Sequence, residues 1–102
     1  MLRIKFFGSG GEVDGFELSG HATVNADDFD GKIVCSAVSS AVYMTANTLT
    51  EIIGEKIDVV DEGDTFRLML LTKKSESQTV MKGFKLHIEA LFEQYGNMIK
   101  ID

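Results

Sequence analysis

Between Lys32 and Ile53, the residues Val34, Val38, Ala41, Thr45, Leu49 and Ile52 recur at intervals of three or four. Only an α-helix gathers that spacing onto one face. Gly54 follows as a suitable C-terminal cap. The apolar stripe of such a helix needs a partner layer, and strand patterns on both sides of it supply one. Leu2, Ile4 and Phe6 alternate with Arg3 and Lys5, a period of two. After a turn at Gly8–Gly11, Val13 to Ser19 reads as a second strand with Phe16 and Leu18 on one face, so the two form a hairpin. Ile57 to Val60 and Phe66 to Leu71 form another hairpin through Glu62-Gly63-Asp64. Ser75 followed by Gln78 resembles a capping box. It opens a second helix with Val80, Phe84, Ile88 and Leu91 on its inner face, and Asn97 to Ile101 closes the chain as a short strand.

The predicted order is β-β-α-β-β-α-β. The fold class is α+β, a two-layer domain with a mostly antiparallel sheet and two helices on one face. The whole of 1–102 is expected to be a single domain, since its length suits one core. A core this small is expected to leave an apolar face that a second copy covers. One segment breaks the pattern. From Gly20 to Gly31 the chain turns small, polar and acidic, ending Asn25-Ala26-Asp27-Asp28-Phe29-Asp30-Gly31. A loop of this length in so small a domain points to function.

Composition narrows the function classes. The apolar share is 44%, which suits a folded domain rather than a disordered chain. No apolar stretch is long enough to span a membrane. The opening Met-Leu-Arg-Ile-Lys-Phe-Phe is too short and too charged for a secretory signal, so a cytoplasmic location is expected. The formal net charge of −6 disfavours direct nucleic-acid binding and suits a basic protein partner, as well as plain solubility. A single cysteine excludes an internal disulfide, and with two histidines it makes a poor metal kit. No metal and no cofactor are expected.

Two residues can carry chemistry together. His21 follows Gly20 at the exit of the second strand, and Cys35 lies in what reads as the first turn of the long helix. Free N–H groups and the positive end of the helix dipole favour a thiolate at such a position. An imidazole nearby would pair with the thiolate or take its proton, and the same N–H groups would hold an oxyanion. A cysteine at helical spacing in Ile-Val-Cys-Ser-Ala-Val equally suits core packing, and a histidine after glycine equally suits a turn. Ser39, one helical turn after Cys35, either approaches the thiol or bonds back to its own helix. His87 reads as a boundary residue of the second helix with no catalytic role.

At these residues the chain resembles a known family. Gly-Phe-Glu-Leu-Ser-Gly-His-Ala at 15–22 and Ile-Val-Cys-Ser-Ala-Val-Ser at 33–39 are similar to the ribosomal-processing cysteine protease family, Prp. The order of strands and helices follows that family over essentially the whole chain. The resemblance implies a cysteine endopeptidase that removes the N-terminal extension of a large-subunit ribosomal protein. It implies Cys35 as nucleophile, His21 as general base and acid, and a homodimer. It carries Ser39 over as a supporting residue. It also implies that the loop of Thr23, Val24, Asn25, Asp27, Asp28 and Phe29 orders around the peptide substrate, which on family analogy is apolar and contains phenylalanine.

Two positions depart from the family pattern. Lys32 stands where the family commonly has aspartate, which leaves Asp30 as the candidate acidic partner of His21, and Ser36 stands where it has alanine. Two other functions suit the same residues. One is a non-catalytic factor that binds a ribosomal protein, indifferent to loss of Cys35. The other is a thiol redox sensor, in which Cys35 oxidises reversibly without cleaving peptide.

Overall fold

The computed structural model describes residues 1–21 and 29–102. Its elements are β1 (Leu2–Phe7), β2 (Gly15–Ser19), α1 (Phe29–Asn47), a wider π-type helical segment (Thr48–Ile53), β3 (Ile57–Asp61), β4 (Thr65–Leu70), α2 (Ser75–Gln94) and β5 (Ile99–Ile101). The five strands form one sheet in the order β3-β4-β2-β1-β5. Three neighbouring pairs are antiparallel, and only β1 with β5 is parallel. The predicted order of elements and the mostly antiparallel sheet are both present.

Register decides which face meets the helices. Ile4 pairs with Leu18 and Phe6 with Phe16 across β1–β2. Phe16 pairs with Leu68 and Leu18 with Phe66 across β2–β4. Leu2 pairs with Ile99 across β1–β5. These residues share one face because side chains alternate along a strand. The opposite face carries Arg3, Lys5, Glu17, Arg67 and Lys100. Both helices close over the apolar face. Val34, Val38, Ala41 and Val42 of α1 and Met81, Phe84 and Ile88 of α2 are buried with it. Phe16 is fully buried, and its ring lies 4.4 Å from that of Phe84. Burying an aromatic ring of this kind is worth about 2–3 kcal/mol.

Four local features differ from the sequence expectation. First, α1 begins at Phe29, not Lys32, so Phe29 and Asp30 are helical. Second, its far end widens. The hydroxyls of Thr48 and Thr50 donate back to the carbonyls of Met44 and Ala46 at 2.7 and 2.9 Å. Such back-bonding disturbs the regular ladder. The N–H groups of Gly54 and Glu55 both turn back to the Leu49 carbonyl, Gly54 with φ of 78°. The wider turns keep Leu49 inside but swing Ile52 out, leaving it 79% exposed although the helical stripe includes it.

Third, the capping box at Ser75 does not form. Lys74 is the residue before the helix, no side chain caps it, and the Ser75 hydroxyl donates to Glu76. Gln78 is drawn to the sheet instead. It accepts from the Val13 N–H at 2.8 Å and donates to the Val13 carbonyl at 3.1 Å. Fourth, the N–H groups leading into α2, those of Thr72 and Lys74, turn to a carboxylate distant in sequence. Glu55, only 3% exposed, accepts from the Lys74 N–H and the Ser77 hydroxyl on one oxygen. Its other oxygen accepts from the N–H and hydroxyl of Thr72. Burial alone would raise the Glu55 carboxyl, but these hydrogen bonds outweigh it and hold its pKa at about 2.

Candidate active site

His21 is placed by the end of β2. The ladder pairs Leu18 with Phe66 and Ser19 with Thr65. One step further the Gly20 N–H donates to the Asp64 carbonyl at 3.2 Å. Gly20 then takes φ of 77°, and a Cβ there would lie 2.5 Å from the Met1 carbonyl oxygen. Glycine is needed for both reasons, the left-handed backbone and the close pass of β1. That bend ends the strand and turns the chain into His21.

Cys35 comes from the opposite layer. It is half-buried on α1, packed against the core, and it is a free thiol. Ser39 lies one turn on. A cleft of ≈ 210 Å³ opens where the end of β2, the β3–β4 turn and α1 meet. Its lining includes His21, Cys35, Ser39, Asp64 and Phe66. Thirteen residues of chain lie between His21 and Cys35, yet the fold returns both to one opening.

A second cleft of ≈ 450 Å³ continues from the first and shares Leu18, Ser39, Gly63 and Phe66 with it. It runs between Val42, Tyr43 and Ala46 of α1 and Val59 and Asp61 of β3. Its origin lies in the architecture. Two helices do not fully cover five strands, and Val59 on the edge strand stays 44% exposed on the helix side. The result is an apolar groove leading away from the thiol.

The earlier start of α1 changes the setting of Cys35. It is the seventh residue of the helix rather than a first-turn residue. In an α-helix the N–H of residue 35 belongs to the carbonyl of residue 31. The first turn of α1 lies nearer Phe29, and the dipole effect of a helix start fades within that turn. The oxyanion and thiolate stabilisation expected from the helix start therefore does not reach Cys35 in this geometry. Asp30 lies in the exposed first turn and does not line the cleft. Thr23, Val24, Asn25, Asp27 and Asp28 of the expected substrate loop lie outside the described residues, and Phe29 is 73% exposed at the head of α1.

The sequence pattern did not single out Asp64, Phe66 or Leu18 for the site. Asp64 read as a turn residue, and only the placement of β4 beside β2 carries that turn to His21. His87 lines a separate groove between α1 and α2, away from Cys35. Among the described residues, no three His, Cys, Asp or Glu side chains are gathered to hold a metal ion, and no helix is long and apolar enough to cross a membrane.

The fold matches solved structures. An essential ribosomal processing protease Prp from S. aureus, in complex with a covalently linked product peptide, superposes with a TM-score of 0.86 at 22% identity, covering 100% of this chain and 98% of that one. The same S. aureus protease with a substrate peptide gives 0.85 at 19% identity, with the same coverage. SMU.848 from Streptococcus mutans gives 0.84 at 23% identity, covering 100% of this chain and 92% of that one. These likenesses establish the fold. No curated protein sequence matches the chain. Residues 1–100 match the family described as Cysteine protease Prp, and the chain belongs to that family.

Proposed function

We propose that this protein is an endopeptidase that trims the N-terminal extension of a ribosomal protein, with Cys35 as nucleophile and His21 as its base. The observation that carries this reading is the shared opening. In a protein with a single cysteine, that cysteine and a glycine-hinged histidine line one small cleft at the head of an apolar groove. The S. aureus structures support the substrate class, since they are of a ribosomal processing protease with bound peptides.

The chemistry is acyl transfer. The Cys35 sulfur attacks the scissile carbonyl carbon, its proton passing to His21. Collapse of the tetrahedral intermediate breaks the C–N bond, and His21 returns the proton to the leaving amine. Water, deprotonated by His21, then hydrolyses the thioester and frees Cys35. Ser39 borders the thiol from the same helix and supports the groove wall.

The net charge of −6 suits a basic ribosomal protein in the cytoplasm. The working form is a homodimer. Phe29, Ile33, Tyr43 and Met44 lie on one side of α1 and are all exposed, a face that a second copy would cover. Light scattering at micromolar concentration tests this, and a monomer would remove it. No resident metal or cofactor takes part in the chemistry.

The decisive experiment is intact mass spectrometry of a cognate precursor ribosomal protein incubated with wild type, Cys35→Ala and His21→Ala. Loss of an N-terminal peptide with wild type alone establishes the protease and its pair. An uncut precursor that still binds all three proteins would favour a binding factor.

A further inference from the structure

We propose that Asp64, on the turn between β3 and β4, is the acidic positioning residue for His21, an inference that rests on the Cys35–His21 reading above. Register points to it first. Asp64 continues the parity of Phe66 and Leu68, which face the helices. Across the ladder it stands opposite Gly20, to which its carbonyl is hydrogen-bonded. Glycine has no side chain, so nothing on β2 screens the Asp64 carboxylate from the next residue, His21. The left-handed bend at Gly20 turns His21 toward the same side, and both residues line the cleft of Cys35.

The turn that presents Asp64 is held from several directions. The Glu62 N–H donates to the Thr65 carbonyl at 2.8 Å. The Gly63 N–H donates to the Asp61 carboxylate at 3.1 Å, with Gly63 at φ of 88°. Asp61 is thereby occupied in shaping the turn. The Asp64 carboxylate has no hydrogen-bond or ion-pair partner among the described residues, and it is the only carboxylate among them that lines this cleft. Asp30 offers neither placement.

The chemistry follows from the two nitrogens of imidazole. In the proposed pair one ring N–H turns to donate to Asp64, a bond not made among the described residues, and this sets the orientation and tautomer of the ring. The other nitrogen faces the thiol and takes its proton. Asp64 thus acts on Cys35 only through His21. Acting directly, its negative charge would oppose a thiolate. The two routes have opposite signs, and this makes the proposal testable.

The experiment is the rate of Cys35 alkylation by iodoacetamide at neutral pH, followed by intact mass, in wild type, Asp64→Asn, His21→Ala and the double variant. Asp64→Asn is expected to slow alkylation about threefold or more with His21 present. With His21 replaced, it should leave the rate unchanged or raise it. Asp64→Glu should restore much of the wild-type rate. Equal slowing in both backgrounds would mark a merely structural residue and overturn the proposal. So would no slowing in either, or a wild-type rate that does not depend on His21. In peptide cleavage the same substitution should lower kcat and leave KM near wild type, and a raised KM alone would assign Asp64 to substrate binding instead. Alkylation does not need the substrate. A wild type whose thiol depends on His21 and Asp64 but which cuts no precursor would defeat the proposed proteolysis and leave the role of Asp64 standing.

Discussion

The Ser77 hydroxyl, buried at the start of α2, donates a 2.8 Å hydrogen bond to the carboxylate of Glu55, 22 residues earlier in the chain. With the bonds from Thr72 and Lys74, this makes Glu55 the cap that α2 lacks locally. Glu55→Gln should be strongly destabilising, because its amide would aim N–H groups at donors already buried. A loss of about 2–3 kcal/mol is expected. Urea unfolding checks this: the midpoint should fall with the slope unchanged. Unaltered stability would mean that the cluster contributes nothing net.

The same cluster sets an acid dependence. Glu55 has a folded pKa of about 2 against a reference value of 4.5. Its depressed pKa contributes stability that is fully present above about pH 4.5 and is lost progressively as pH falls toward 2. The contribution is about 3 kcal/mol at neutral pH. Stability measured across this window should drop in wild type, and Glu55→Gln should flatten the drop. A wild-type curve with the same slope as the variant would show that other carboxylates govern acid unfolding.

Two glycines separate backbone preference from steric fit. Gly20 and Gly54 have nearly the same φ, 77° and 78°. A Cβ at Gly54 meets nothing within 4 Å, whereas one at Gly20 lies 2.5 Å from the Met1 carbonyl oxygen. Gly54→Ala should cost only the left-handed penalty of about 1 kcal/mol and spare cleavage. Gly20→Ala should cost more and displace His21, lowering kcat/KM about tenfold or beyond. Thermal unfolding together with precursor cleavage separates the two. Equal losses of activity would mean that His21 does not depend on the Gly20 bend.

Periodicity made the elements legible because it is local. Val34, Val38 and Ala41 recur as a helix requires, and Leu2 and Ile4 as a strand requires, whatever lies elsewhere in the chain. What stayed illegible depends on distant partners. Asp64 reaches the site only because β4 lies beside β2, and a turn sequence carries no trace of strand order. Glu55 looks like an ordinary residue after Gly54 until the 72–77 segment folds over it. Ser75 and Gln78 have the spacing of a cap, but the Val13 backbone competes for Gln78 and wins. Ile52 fits a regular helix, and the widening that displaces it arises from threonines bonding back to carbonyls. His21 and Cys35 were readable as candidates by residue type and by resemblance. The depth of Cys35 within α1 was not, because the polar run before Lys32 carries no apolar stripe to mark where the helix begins.

Ser39 offers a test of the groove as the path of the peptide. It is exposed, it lines both clefts, and it lies one turn from Cys35, so a larger side chain can be accommodated there without entering the core. Ser39→Phe should fill the junction of the clefts, exclude the residues flanking the scissile bond and raise KM about tenfold or more, the equivalent of losing one good contact. Ser39→Ala should leave KM near wild type, since it removes a hydroxyl and adds no bulk. Iodoacetamide, small enough to reach Cys35 directly, should alkylate Ser39→Phe at close to the wild-type rate. If Ser39→Phe cleaves precursor normally, the peptide does not run through this junction. If it loses alkylation and cleavage together, the substitution has disturbed the thiol itself rather than the approach to it.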